Sequence, residues 1–188
     1  MDSFISYFAN NPIIVSDDIF IKWNNGNHSD VILNLDGSCL GTPLRAGFGG
    51  GVIRNDARFY LSGFSWYLPD SSDILYAELY AIYQGLILAR NLNIDELVCY
   101  NDSLHCINLL KGPILSFYVY TVLIQDVKDL MEQNNVTVYH TLREGNQCAD
   151  FMAKFGASSP TELFYHSFPL DLLNILRTDA TGTFFSKE

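Results

Sequence analysis

The chain has 188 residues, of which 48% are hydrophobic and 14% aromatic, and this composition supports one compact domain and excludes wholesale disorder. It carries 21 Asp and Glu against 11 Lys and Arg, so its net charge is −10. Because proteins that bind nucleic acid usually present a positive surface, the charge alone argues against a nucleic-acid partner and leaves a protein partner open.

The N-terminus and the cysteines predict an intracellular protein, in the nucleus or the cytoplasm. The first residues, MDSFISYFANN, contain no Lys or Arg and do not form a secretory signal. No apolar run approaches the roughly 18–20 residues of a membrane span, so we expect no membrane partner. The four cysteines are scattered without a CxxC pair, and we expect them to be reduced thiols: Cys39, Cys99, Cys106 and Cys148.

Taken in chain order, the sequence begins with an N-terminal arm, residues 1–30, and continues with three predicted strands. VILNLD (31–36) has the character of a buried strand, and GFGGGVIRND (47–56) and RFYLSGFSWYL (58–68) follow it. The polar turn between the last two has the length of a hairpin connection. The three strands are therefore predicted to form an antiparallel meander.

The next segment, SDILYAELYAIYQGLILARNL (72–92), changes to the period of a helix of about five turns. Ser72 or Asp73 is the expected N-cap. Small residues on one face suit close packing against a sheet: Ala77, Ala81 and Gly85. Glu78 shares that face, where a carboxylate is costly unless it is paired or metal-bound.

Alternating strands and helices complete the predicted domain, residues 31–158. They are a strand at 96–102, helices at 103–112 and 117–133, a strand at 136–141 and a helix at 146–158. A meander that leads into alternating units predicts an α/β fold with a mixed sheet and helices on its faces. Residues 159–188 are predicted to be a C-terminal tail.

Four acidic residues stand out because of where they lie on these elements. Asp36 is expected to end the first strand, Glu78 faces the sheet, Asp102 ends the fourth strand and Asp150 begins the last helix. Taken singly, a turn, an N-cap or a helix-dipole partner explains most of them. Taken together, neighbouring strand ends and a helix packed across them bring four carboxylates to one place, which suits two Mg²⁺ or Mn²⁺ ions.

The stretches NLDGSCLG, AGFGGGVIRND, YAELYAIYQGL, NDS and HTLREGNQCADFMAK resemble the ribonuclease H domain, most closely its reverse-transcriptase-derived version in plant proteins and retroelements. The resemblance covers about residues 31–158 and implies a five-stranded mixed sheet whose first three strands are antiparallel, flanked by helices. It implies metal-dependent endonucleolytic cleavage of the RNA strand of an RNA–DNA hybrid, with two ions held by Asp36, Glu78, Asp102 and Asp150.

The resemblance also implies roles for residues around these carboxylates. His140 matches a loop histidine that assists product release or proton transfer, although an ordinary histidine at a strand end explains it equally well. Arg143 and Asn146 lie on the same loop and are expected to contact substrate, and Cys39 and Gly41 match positions whose backbone lies along the RNA strand.

Two other functions stay open from the sequence. One is a nucleic-acid-binding or protein-binding module that has this fold but little or no turnover, which the missing basic surface favours. The other is a different polynucleotide enzyme on the same fold, such as a 3′–5′ exonuclease. Exonucleases of this kind commonly carry Asp-x-Glu on the first strand, whereas this chain has Asp36-Gly37-Ser38.

Overall fold

The computed structural model describes residues 20–23, 26, 28, 30–54, 59–69, 71–114, 119–159, 164–166, 172–180 and 185–186. The strands are β1 (Phe20–Ile21), β2 (Val31–Leu40), β3 (Arg45–Arg54), β4 (Tyr60–Leu68), β5 (Leu97–Asn101), β6 (Val136–His140), β7 (Phe164–His166) and β8 (Phe185–Ser186). The helices are α1 (Ile74–Asn91), α2 (Leu104–Lys111), α3 (Thr121–Gln133), α4 (Gln147–Ser158) and α5 (Leu173–Ala180), with a short 3₁₀ turn at Arg143–Gly145.

The main sheet has the strand order β6-β5-β2-β3-β4-β7. Strands β2, β3 and β4 are antiparallel neighbours, whereas β5 is parallel to β2 and β6 is parallel to β5. This confirms the predicted five-stranded mixed sheet with an antiparallel meander. The short strand β7 adds a sixth member by pairing with β4, and its residues come from the predicted tail.

The first strand of the sheet is longer than expected, and one prediction about it is wrong. Asp36 does not end that strand, because β2 continues to Leu40, which pairs with Arg45 of β3. The register shifts between Asn34 and Asp36, so the aspartate lies at an irregularity in the middle of the strand. Between these two pairs β2 advances by two residues and β3 by three, from Val52 to Gly49, so the bulge is in β3 and β2 continues past the aspartate.

Helix α1 follows the prediction closely. Asp73 is the N-cap, and its carboxylate accepts hydrogen bonds from the backbone N–H groups of Leu75 and Tyr76. The predicted small residues on the face of α1 are buried, as is Glu78 among them. The core of the domain lies between this face, helices α2 and α3, and the sheet.

Helix α4 packs against β2, β3 and β4. Leu33 and Leu35 of β2 lie against Gly85 of α1, while Asn34 bonds to Asn146 at the start of α4. Because alternate residues of a strand point to opposite faces, α1 and α4 cover opposite faces of the sheet. The predicted hairpin turn at 55–57 and the first residues of the predicted helix at 117–133 include positions outside the described residues.

Candidate active site

Three of the four carboxylates meet at one point of the molecule. Asp36 lies on β2 beside the bulge in β3, Glu78 lies in the first half of α1, and Asp102 directly follows β5. One oxygen atom from each lies within 4.8 Å of the others, an arrangement that could hold a metal ion. The convergence follows from parallel pairing, because Leu35 and Asn101 are partners in the ladder and the acids come next in each chain.

Gly37 makes this convergence sterically feasible. A Cβ atom on Gly37 would lie 2.6 Å from the backbone nitrogen of Glu78 and 2.9 Å from the carbonyl carbon of Ala77. A side chain there would push α1 away from β2, and Glu78 would move with it. The glycine after Asp36 therefore sets the distance between the strand carboxylate and the helix carboxylate.

The buried position of these carboxyl groups disfavours their ionised forms. Asp36 and Glu78 are 4% and 6% exposed, so both are nearly removed from water. Burial raises the pKa of Asp36 far above its ordinary value, and the charges of Glu78 and Asp102 raise it further. Burial also raises the pKa of Glu78, although a hydrogen bond from Asn101 opposes the change. The set of hard oxygen ligands with unfavourable mutual repulsion fits Mg²⁺ or Mn²⁺.

Asn101 holds Glu78 in place, and the sequence analysis missed this residue. Its side-chain nitrogen donates hydrogen bonds to Glu78 Oε2 (2.7 Å) and to the carbonyl oxygen of Leu35 (3.2 Å). Its side-chain oxygen accepts from the backbone N–H of Ser103 (2.9 Å). Asn101 is fully buried, so all these bonds are made away from water. The only signal in the sequence is its place immediately before Asp102.

A second buried amide, Asn146, supports β2 from the opposite face. Its side-chain nitrogen donates to the carbonyl oxygen of Leu35 (2.9 Å), and its oxygen accepts from Asn34 (3.2 Å). Asn34 in turn accepts a hydrogen bond from the indole of Trp23 (2.7 Å). Asn146 is 1% exposed, so the structure places this predicted substrate contact inside the protein, where it fixes the backbone before Asp36.

Asp150 is close to the three carboxylates but does not join them. Its oxygens accept hydrogen bonds from Arg143 (2.9 Å) and from Lys154 (2.6 Å), which lies one helical turn further along α4. Its charge contributes to the raised pKa of Asp36, although less than burial and the two nearer acids do. The predicted fourth ligand is therefore held by two cations in the conformation described here.

The remaining predicted residues surround the cluster. His140 is exposed at the end of β6, and its Nε2 lies 3.1 Å from the carbonyl oxygen of Asp102, which accepts its hydrogen. Arg143 has 69% of its side chain exposed, so it is accessible from solvent while it holds Asp150. Cys39 is half-buried and donates to the Ser72 carbonyl, while Gly41 opens an exposed turn with φ of +83°. Their predicted roles toward substrate stay predictions.

Among the described residues, no helix has the length and apolar character needed to cross a bilayer.

Solved structures confirm the ribonuclease H-like fold. The N-terminal RNase H domain of a Mycobacterium tuberculosis protein is 22% identical, with a TM-score of 0.60 over 69% of this chain and 94% of that one. RNase H1 from the archaeon Halobacterium salinarum is 19% identical, with a TM-score of 0.60 over 68% and 96%. LC11-RNase H1, solved with an RNA/DNA hybrid, is 20% identical, with a TM-score of 0.60 over 68% and 96%.

Sequence comparison identifies the family. No curated protein matches the chain. A family model described as reverse transcriptase-like matches residues 34–156, a range that contains all four acidic residues. The predicted descent from plant proteins or retroelements stays a prediction. The chain belongs to the reverse transcriptase-like family, on a ribonuclease H-like fold.

Proposed function

We propose that the chain is a metal-dependent endonuclease that hydrolyses the RNA strand of RNA–DNA hybrids with two bound Mg²⁺ or Mn²⁺ ions. The observation that carries this proposal is the meeting of Asp36, Glu78 and Asp102 within 4.8 Å at a place where two of them are buried. Buried carboxylates repel one another and are retained at a cost unless a cation is bound between them. The hybrid seen with LC11-RNase H1 supports the choice of substrate.

Each residue of the site would have its own role in this reaction. Asp36, Glu78 and Asp102 would hold the ions, and the first two would release their protons when the ions bind. Bound ions of this kind make a water molecule more acidic and stabilise the leaving oxygen in a phosphoryl displacement. His140 is exposed beside Asp102 and could carry a proton to or from solvent. Asp150 would join the ligands when Arg143 turns from it toward a phosphate.

The test is cleavage of a labelled RNA–DNA hybrid in Mg²⁺ or Mn²⁺, beside single-stranded RNA, duplex RNA and duplex DNA. Asp102→Asn should abolish cleavage, since it removes one ligand charge while keeping the shape of the side chain. Asp126→Asn is the matched control, because Asp126 is exposed on α3. Equal cleavage by wild type and Asp102→Asn would overturn the metal-site assignment.

A second function follows from one observation, the two cations on Asp150. If Arg143 and Lys154 hold this carboxylate permanently, the site lacks its fourth ligand, and the chain is a ribonuclease H-fold module that binds nucleic acid or a protein with little turnover. A hybrid that binds but is not cut, with either ion, would favour this function over the first.

A further inference from the structure

A cavity of about 440 Å³ lies beside the carboxylate cluster and has no role in the proposed chemistry. Its volume falls within the roughly 300–1,000 Å³ of small-molecule pockets. Residues from the segment before β2, from β5 and from the end of β6 line it: Gly26, His28, Tyr100, Tyr139, His140, Thr141 and Leu142. His140 belongs both to this lining and to the immediate surroundings of Asp102.

Three rings form the wall of the cavity. The ring centroids of His28 and Tyr139 are 4.9 Å apart, those of Tyr100 and Tyr139 are 5.9 Å apart, and those of His28 and Tyr100 are 6.0 Å apart. The backbone N–H of Gly26 donates to the Tyr100 hydroxyl (3.2 Å), which joins the segment before β2 to this wall. Tyr139 is 36% exposed, so a planar group could contact its ring from the solvent side.

The charge around the cavity differs from that of the chain as a whole. The net charge is −10, yet the described residues that line the cavity include no Asp or Glu. The ammonium group of Lys111 lies 5.5 Å from the centre of the Tyr139 ring. A nucleic acid that is repelled elsewhere on the surface would therefore meet an aromatic recess whose described lining has no carboxylate.

We propose that this cavity binds an unpaired nucleobase, in a single-stranded extension of the nucleic acid whose backbone lies at the Asp36, Glu78 and Asp102 cluster, by stacking on Tyr139. The inference rests on the proposed function for the position of that backbone. Base–aromatic stacking is independent of sequence and adds affinity that does not depend on phosphate contacts. A chain with 11 Lys and Arg against 21 Asp and Glu needs such a source of affinity, and the cavity would supply it next to the carboxylate cluster.

The stacking test uses a short single-stranded DNA carrying one 2-aminopurine, which offers no RNA to cleave. Its fluorescence should be quenched when wild type is added in Mg²⁺, and Tyr139→Leu should bind about 5- to 150-fold more weakly. Tyr139→Phe keeps the ring and should bind as wild type does. Phe59→Leu is the matched control, because Phe59 is 68% exposed just before β4 and away from the cavity.

The proposal would be overturned if wild type did not quench the fluorescence, or if Tyr139→Leu bound the DNA as tightly as wild type. Circular dichroism establishes that each variant is folded. If Tyr139→Leu does not fold, His28→Leu replaces it, because this change removes the ring that packs 4.9 Å from that of Tyr139 in the cavity wall and should also weaken binding. Hybrid cleavage is scored separately. Quenching by a wild type that cuts no hybrid would refute the proposed enzyme and keep the cavity, whereas cleavage without quenching would refute the cavity and keep the enzyme.

Discussion

Replacing Asn101 by Ala should weaken metal binding although the residue is not itself a proposed ligand. The change removes the 2.7 Å hydrogen bond to Glu78 and one of the two amide donors to the Leu35 carbonyl. A hydrogen bond to a charged group contributes about 1.5–3 kcal/mol, which corresponds to about 10- to 150-fold in an equilibrium constant. Loss of an outer partner of a metal ligand typically weakens metal affinity about 10- to 100-fold. We therefore expect the Mn²⁺ dissociation constant to rise by about tenfold or more.

The direction of this effect depends on the protonation of Glu78. The hydrogen bond from Asn101 lowers the pKa of Glu78 against the larger effect of burial, so its loss should raise that pKa further. Metal binding must then displace a more tightly held proton, and the defect should grow as the pH falls. A merely destabilised fold would not produce this pH dependence.

Isothermal titration with Mn²⁺ at two pH values measures both effects, and chemical denaturation measures the free energy of unfolding in parallel. Asn108→Ala is the matched control, because Asn108 is exposed on α2 and its side chain supports no described contact with the cluster. The reasoning is refuted if Asn101→Ala and Asn108→Ala bind Mn²⁺ equally well.

Three further predictions concern the surroundings of the same site. Because burial raises the pKa values of Asp36 and Glu78 in the folded protein, the folded protein binds more protons than the unfolded chain, and metal-free stability should fall as the pH rises from about 5 to 7. Urea denaturation should show this fall, and saturating Mg²⁺ should reduce it. Lys154→Gln removes a half-exposed ion pair and leaves the Asp150 carboxylate freer to bind an ion. It should therefore tighten Mn²⁺ binding about two- to fivefold in the same titration. Unchanged affinity would argue against Asp150 as a ligand. Trp23→Phe removes the indole N–H donated to the buried Asn34 oxygen and leaves a smaller ring beneath the Arg54 guanidinium, so it should lower the free energy of unfolding by at least about 1–3 kcal/mol. An unchanged denaturation midpoint would contradict this prediction.

The order and type of the elements could be predicted because they depend on local patterns. The period of α1 and its Asp73 cap are visible in neighbouring residues, and both are confirmed. The extension of β2 beyond Asp36 was not visible, because it depends on pairing with Arg45 across a turn. Packing of the C-terminal residues was also missed, since Leu172 and Leu176 are buried against α4 only in three dimensions.

In the candidate site, too, some features could be predicted from local sequence and others depend on the assembled fold. The position of Asp102 after a strand and of Glu78 on a buried helix face could be predicted, and the structure brings both near Asp36. The supporting amides could not, because an asparagine in a sequence resembles any polar residue near a strand end. Asn34 and Asn146 are 112 positions apart in the chain, and only the assembled fold shows that they bond to each other.

The charge of the chain and the chemistry of the site lead to one conclusion about how substrate would bind. Without cations, the carboxyl groups of Asp36, Glu78 and Asp102 offer a phosphodiester no positive charge, and those that are ionised repel it. Each divalent ion bound there reverses part of that repulsion at the point where the backbone must approach. A chain with a net charge of −10 has little other electrostatic attraction for phosphate, so its affinity for nucleic acid and its affinity for metal should be thermodynamically linked. Under this linkage the nucleic acid would tighten metal binding by the same factor as the metal tightens nucleic-acid binding. Three of the 21 acidic residues that argue against such a partner would then hold the cation that attracts it.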